Sequence, residues 1–254
     1  MAPHPRTLAQ LRTGQALGLL SVPAYNWWVG AIAAGLVTSP DGMFSDLEAM
    51  GQPHAVLFGR LDVLSGALVM LGLLLIGAPT TRERAREWKL MLGFGATGVV
   101  GGIYPYACPE GRDDACREAE WTFQLPLHHY VHMASGILEF AFVTLTVVLM
   151  WRRVRDTAPS AFRTFVGILA AMLAIGYPAI AASYLLDRYD APVEALFFLV
   201  FAGAVAAACL EPDQARTERA RSTSSAMATR RSSTESKRSM PRRRSAKDTA
   251  TNRS

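Results

Sequence analysis

The sequence predicts an all-α polytopic membrane protein, a bundle of six transmembrane helices followed by a disordered C-terminal tail. Three observations predict it. Apolar residues gather in blocks of about 20, the length that crosses a bilayer. Half of the chain is hydrophobic, with a mean hydropathy of +0.17. Charged residues are swept into the segments between the blocks, and the net charge of +5 comes largely from arginine. Reading for apolar runs bounded by charged or turn-forming residues gives spans at roughly 15–37, 55–77, 90–107, 128–151, 164–186 and 193–210. The chain then divides into a cytoplasmic segment (1–14), a six-helix domain (15–210) and a basic Arg/Ser-rich tail (211–254).

Arg6 and Arg12 precede the first span, whose middle reads "AYNWWVG". That run is too long and too polar for the core of a signal peptide, so it reads as an uncut helix. Asn26 there either hydrogen-bonds a neighbouring helix or touches a ligand. The loop 38–54 carries Asp41, Asp46 and Glu48 with no Lys or Arg. In the second span His54, Phe58, Asp62, Ser65 and Val69 share one helical face, and Arg60 points elsewhere. Arg82, Arg84, Arg86 and Lys89 fill the following loop, and Arg152, Arg153, Arg155 and Arg163 the loop after the fourth span. The positive-inside rule places both groups, and both termini, in the cytoplasm. The scarcity of lysine beside arginine suits a GC-rich bacterial genome, hence a bacterial plasma membrane.

Cys108 and Cys116 bracket "PEGRDDA" in the loop after the third span, and no Cys-x-x-Cys motif accompanies them. In an oxidising exterior these two are expected to form a disulfide. Glu194 opens the sixth span, where a carboxylate suits a helix N-terminus. Tyr104, Tyr106, Tyr184 and Tyr189 fall where an interfacial aromatic belt belongs. The tail has no apolar periodicity to offset the entropy of ordering it. Its basic runs could lie on anionic lipid headgroups, and no folded reading module argues for nucleic acid.

The fourth span opens "LPLHHYVHMASGILEF". His128, His132, Ser135 and Glu139 fall at i, i+4, i+7 and i+11 in one stripe, with His129 to its side. A charge at the bilayer centre costs about 2.5 kcal/mol or more, so the stripe should face other helices. Spans two and four are expected to pack together, bringing His54, Asp62 and Ser65 to the stripe beneath Ser45 and Asp46. Three readings stay open. Imidazoles of His128, His132 and His54, with Asp62, could hold zinc with an open position for water, making a lipid hydrolase with Asp62, Ser65 and Glu139 as candidate catalytic groups. Ser45, Asp46, His129 and Ser135 could bind lipid or envelope components without catalysis, or the whole set could be a packing network. Glu139 and Asp62 could also serve a small-solute or proton-coupled carrier. Membrane lipids are the expected partners, and the sequence leaves the oligomeric state open.

Three stretches together, "SDLEAMGQPHAVLFGRLDVLSGAL", "GIYPYACPEGRDDAC" and "HHYVHMASGILEF", resemble the bacterial integral-membrane family catalogued as domain of unknown function 998. The resemblance covers roughly residues 15–210 and rests on Ser45, Asp46, Leu47, Pro105, Cys108 and His128 or His132. "SDLEAMG" departs from the family's commoner Ser-Asp-Leu-Gly after Leu47. More distantly the layout is similar to the Frag, DRAM and Sfk group, some of whose members are linked to lipid remodelling. The serine, aspartate and histidine set is also similar to that of the alkaline ceramidase and adiponectin receptor superfamily, which implies zinc-dependent amide hydrolysis.

Overall fold

The first helix starts where Thr7 and Gln10 cap each other reciprocally, Thr7 Oγ1 accepting from Gln10 N (3.2 Å) and Gln10 Oε1 from Thr7 N (3.0 Å). The computed structural model of the chain describes residues 7–37, 42–186 and 188–211, without the Tyr184 side chain. The expected disordered tail lies, from residue 212 onward, outside the described residues, as do Arg6 and Asp41. Among the described residues there are eight α-helices and no strand: α1 (Leu8–Tyr25), α2 (Trp28–Ala33), α3 (Ala55–Ile76), α4 (Arg82–Ile103), α5 (Asp114–Trp121), α6 (Leu127–Val154), α7 (Ser160–Leu186) and α8 (Asp190–Leu210).

The first apolar block is therefore two helices, with a break at Asn26. Pro23 removes one backbone donor in the last turn of α1. Asn26 then closes the break itself, Nδ2 donating to Val22 O (2.9 Å) and Oδ1 accepting from Trp28 Nε1 (3.0 Å). The third block also differs from its expected bounds. Its helix begins at Arg82, inside the basic segment, because "RERAREWK" is composed of good helix formers and needs no apolar surroundings. Five helical segments, Leu8–Ala33, Ala55–Ile76, Leu127–Val154, Ser160–Ser183 and Asp190–Leu210, are long and apolar enough to cross a membrane. The charged first turns of α4 keep it out of that set, so the expected six is five by length and composition.

Around the bundle the neighbours run α1, α3, α4, α6, α7, α8 and back to α1, and α8 also touches α3, α4 and α6. The apolar α8 is thus the hub, with Phe197 and Phe201 each 1% exposed. The expected direct packing of α3 on α6 is not what forms; α4 lies between them. Glycine explains how α4 can do so while keeping both neighbours close. Gly59 and Gly66 of α3 face Gly102 and Gly95 of α4, and a Cβ on Gly95 would stand 2.8 Å from Gly66 O. On the opposite face a Cβ on Gly101 would stand 2.9 Å from Ser135 Oγ, and one on Gly98 3.3 Å from Glu139 Oε1. Small residues that let backbones approach are the usual way helices associate where no hydrophobic driving force exists.

The helices alternate in direction, so the bundle has two unlike ends. At the loop end the segments 42–54 and 104–126 meet, Met50 N donating to Tyr106 O (2.9 Å) and Gly111 N to Asp46 (3.2 Å). At the opposite, charged end Gln15 Nε2 donates to Cys209 O (3.1 Å), joining the start of α1 to the end of α8.

Candidate functional site

The loop end is built from short local structures that tuck inward. Ser45–Glu48 form one 3-10 turn in which Asp46, Leu47 and Glu48 are buried. Glu194 of α8 reaches across to this turn and accepts the backbone N–H of Phe44 and of Ser45, the latter at 3.3 Å. The carboxylate expected to suit its own helix start instead holds another segment. Asp46 accepts Met43 N (3.1 Å) and Gly111 N (3.2 Å) and meets Arg112 Nε at 3.7 Å, so it ties this turn to the next loop. Gly111 leaves the room for that contact, since a Cβ there would lie 2.6 Å from Asp46 Oδ2.

The second loop is pinned at three places. Cys108 and Cys116 form a disulfide with their Cα atoms 6.0 Å apart. Asp113 Oδ1 caps α5 by accepting Ala115 N (3.0 Å) and Cys116 N (3.3 Å). His129, completely buried, joins this loop to α6: Nδ1 accepts Ala107 N (3.2 Å) and Nε2 donates to Glu120 (2.7 Å). A backbone N–H can only donate, so the proton of the neutral ring sits on Nε2. Burial raises Asp46 above the usual carboxylate range, opposed by the Gly111 N–H, Arg112 and the Met43 N–H. Glu110 is pushed up to about 7 by burial and then by Glu120 and Asp46, with Arg117 opposing.

Beneath these loops lies an interior acidic cluster drawn from five segments. Trp27, turned inward by the break at Asn26, donates Nε1 to Asp62 (2.9 Å) and stacks on Phe58 with ring centres 4.2 Å apart. Tyr25 OH donates to Glu139 (2.7 Å). Glu48 descends from its turn to lie against Asp62, carboxyl beside carboxyl. Burial raises Glu48 well above its ordinary range, and the neighbouring charges of Asp62, Glu194 and Glu139 raise it further. Its Oε2 is buried with no hydrogen-bond partner among the described residues, in a side chain only 4% exposed. Two carboxylates repel when buried side by side, so this placement favours a proton on one of the pair.

The other candidate residues are placed as follows. The buried stripe of α6 runs through His129, His132, Ser135 and Glu139, while His128 is only half-buried. The stripe therefore opens on His129, which the helical arithmetic set to its side. His132 Nδ1 donates to Tyr104 O (2.7 Å) and its ring lies 3.9 Å from that of Tyr106. Tyr106 is accordingly a packing partner of the histidines, whereas Tyr104 and Tyr189 are exposed. Ser65 Oγ donates to Ser21 O (3.1 Å) and Ser135 Oγ to His132 O (2.6 Å), so both hydroxyls serve the backbone. His54 is exposed in a left-handed conformation at the start of α3. Among the described residues no group of three His, Cys, Asp or Glu side chains is arranged to hold a metal ion, and His54, His128 and His132 do not form one.

Tyr25, Trp27 and Glu194 were not singled out as site residues from the sequence. The signal that could have found the first two is "AYNWW" itself, four groups with polar atoms in an apolar block. Glu194 gave no signal, because its role depends on a loop 149 residues away.

No curated protein and no solved structure matches the chain. A family model described as "Protein of unknown function (DUF998)" matches residues 17–211, which takes in α1 from its middle, every loop of the loop end and all of α8. By that match the chain belongs to the DUF998 family.

Proposed function

We propose that the protein is a proton-coupled carrier of a bacterial plasma membrane, in which Glu48, Asp62 and Glu139 bind the transported proton. Its α4 serves as a sixth span, its loop end faces outward and both termini are cytoplasmic. Two independent features support that orientation: the basic residues Arg82 to Lys89 and Arg152 to Arg163 lie at the charged end, and the disulfide lies at the other. Membrane lipids surround it as partners. The zinc-hydrolase reading lacks a ligand group to rest on, and lipid contact through Ser45 and Ser135 lacks free polar atoms pointing outward.

One observation carries the carrier reading, the burial of Glu48 of the loop turn, its Oε2 without a partner among the described residues, beside Asp62 of α3. With a proton shared, the turn seats on the bundle and covers Asp62 and Glu139. When the proton leaves, two adjacent negative charges in a low-dielectric interior repel, and Glu48 withdraws with its turn. Protonation and exposure of the interior are thereby one event, which is what coupling requires. Infrared difference spectra of the purified chain between acidic and alkaline buffer test the proton. The expected result is a protonated-carboxyl band that vanishes at alkaline pH and is absent from Asp62→Asn and from Glu48→Gln; a spectrum unchanged by both substitutions would overturn the reading. Vesicles loaded with a pH-sensitive dye test the coupling, with Glu139→Gln expected to abolish proton movement driven by a gradient of small amines or amino acids.

A further inference from the structure

The charged end holds a cleft of about 220 Å³ between α4 and α6, lined by Glu83, Arg86, Glu87, Leu149, Arg152 and Arg153. Arg153 is fully engaged: Nε and Nη2 donate to Glu87 at 2.9 and 2.6 Å, while Nη1 and Nη2 donate to Glu211 at 2.5 and 2.8 Å. Glu87 is thus neutralised and the cleft has a rigid floor. Arg86 and Arg152 stand differently. Both are exposed, and among the described residues neither has a hydrogen bond or ion pair. Glu83 adds one carboxylate at the mouth, so the rim keeps two unpaired cations against one acid. Leu149, about one turn inward from Arg152 and Arg153, supplies an apolar wall on the side toward the helix centre.

Two guanidiniums on adjacent helices, above an apolar wall and at the end of membrane-length helices, match a phosphate diester attached to acyl chains. Guanidinium forks recognise phosphate oxygens in pairs, and each cation near an anionic surface adds to the attraction. We propose that this cleft binds the phosphate of an anionic phospholipid headgroup, with Arg86 and Arg152 on its oxygens and the first methylenes of an acyl chain against Leu149. The site is independent of the acidic cluster at the loop end, and its failure would leave the carrier reading untouched.

The test is a thermal-shift titration of the detergent-purified full chain with phosphatidylglycerol, phosphatidylcholine and inorganic phosphate, on wild type and on Arg86→Gln with Arg152→Gln. Both positions are exposed and unpaired, so the double variant should melt like wild type without lipid. The double variant keeps the basic tail, so a stabilisation that it loses belongs to the cleft. Phosphatidylglycerol is expected to stabilise wild type and to act about 30-fold more weakly on the double variant, the loss that two interfacial cations represent. Phosphatidylcholine should do little to either, and Glu83→Gln should strengthen the response to phosphatidylglycerol. Equal stabilisation of wild type and double variant by phosphatidylglycerol would overturn the proposal. Stabilisation of wild type by inorganic phosphate as strong as that by the lipid would assign the cleft to the free anion and overturn the lipid.

Discussion

At the charged end Glu87 and Glu211 face the guanidinium of Arg153; at the loop end Glu48, Asp62 and Glu139 face one another. The same residue type is used in both places with opposite electrostatics. A guanidinium with its donors aimed at two carboxylates fixes α4, α6 and the end of α8 wherever those carboxylates are ionised, because arginine keeps its charge. Carboxyls whose nearest polar neighbours are a tyrosine, a tryptophan and another carboxyl are in balance only while a proton is present. One end is a clamp, and the other is conditional.

The sharpest way to break this comparison is to remove the clamp. Arg153→Ala leaves Glu87 without its hydrogen-bonded partner and Glu211 with Arg84 alone, and should cost about 3 kcal/mol, read as a lowered melting temperature in detergent. Adding Glu87→Gln to that variant should recover part of the loss. Asp62→Asn at the loop end should show the opposite sign in alkaline buffer, where it removes a repulsion.

A smaller effect comes from the helix contact that carries the acids. Gly95→Ala places a Cβ 2.8 Å from Gly66 O and should destabilise by about 1–3 kcal/mol, whereas Gly136→Ala meets nothing within 4 Å and should be neutral or slightly stabilising. Equal melting temperatures for the two variants would show that the close approach of α3 and α4 contributes little.

The pH dependence follows from Glu48. A carboxyl raised in the folded state holds its proton there at pH values where the unfolded chain has lost it, so stability falls as pH rises from the ordinary carboxyl range through the raised value. The groups facing Glu48 are Asp62, Glu194 and Glu139, and none of them is a cation. Wild type should lose about 2–4 °C of melting temperature over that rise, and Glu48→Gln should flatten the curve. A wild-type curve that climbs with pH would contradict the cluster.

The smallest expected effect is local. Glu110, raised from 4.5 to about 7, should loosen the segment 104–126 as pH passes through that interval, visible as faster amide exchange after correction for intrinsic rates. Glu110→Gln should remove the step, and α8 should be unaffected in both.

Much of this molecule is legible in one dimension. Blocks of about 20 apolar residues specify helices of membrane length because every backbone donor must be satisfied within the segment. The polar positions of α6 and Asp62 announce themselves as costly residues in apolar blocks, and His129, His132, Ser135, Glu139 and Asp62 do point inward or toward other helices. Cys108 and Cys116 lie eight residues apart, close enough for the pairing to be read from spacing and compartment. The bounds of α4 were misjudged because apolar content marks membrane depth, whereas helix propensity continues through charged residues.

What periodicity could not supply is which faces meet. Placing α4 between α3 and α6 depends on glycines whose value appears only when two backbones approach, and a glycine in a sequence does not say which helix it will receive. His128 and His132 could be read as metal ligands with His54 because spacing on one helix was the only geometry visible; the tertiary structure adds that His129 meets Ala107 and Glu120 and that His132 meets Tyr104. The acidic cluster needed Asn26 to turn Trp27 inward, Glu194 to seat a distant turn and that turn to lower Glu48 onto Asp62. The sequence by itself determined the helices, their apolar lengths and the places where charge would be costly, since these are properties of local composition. The partner of each charge was decided by tertiary structure alone, because electrostatic pairing depends on distances of a few ångströms between segments that the chain order keeps far apart.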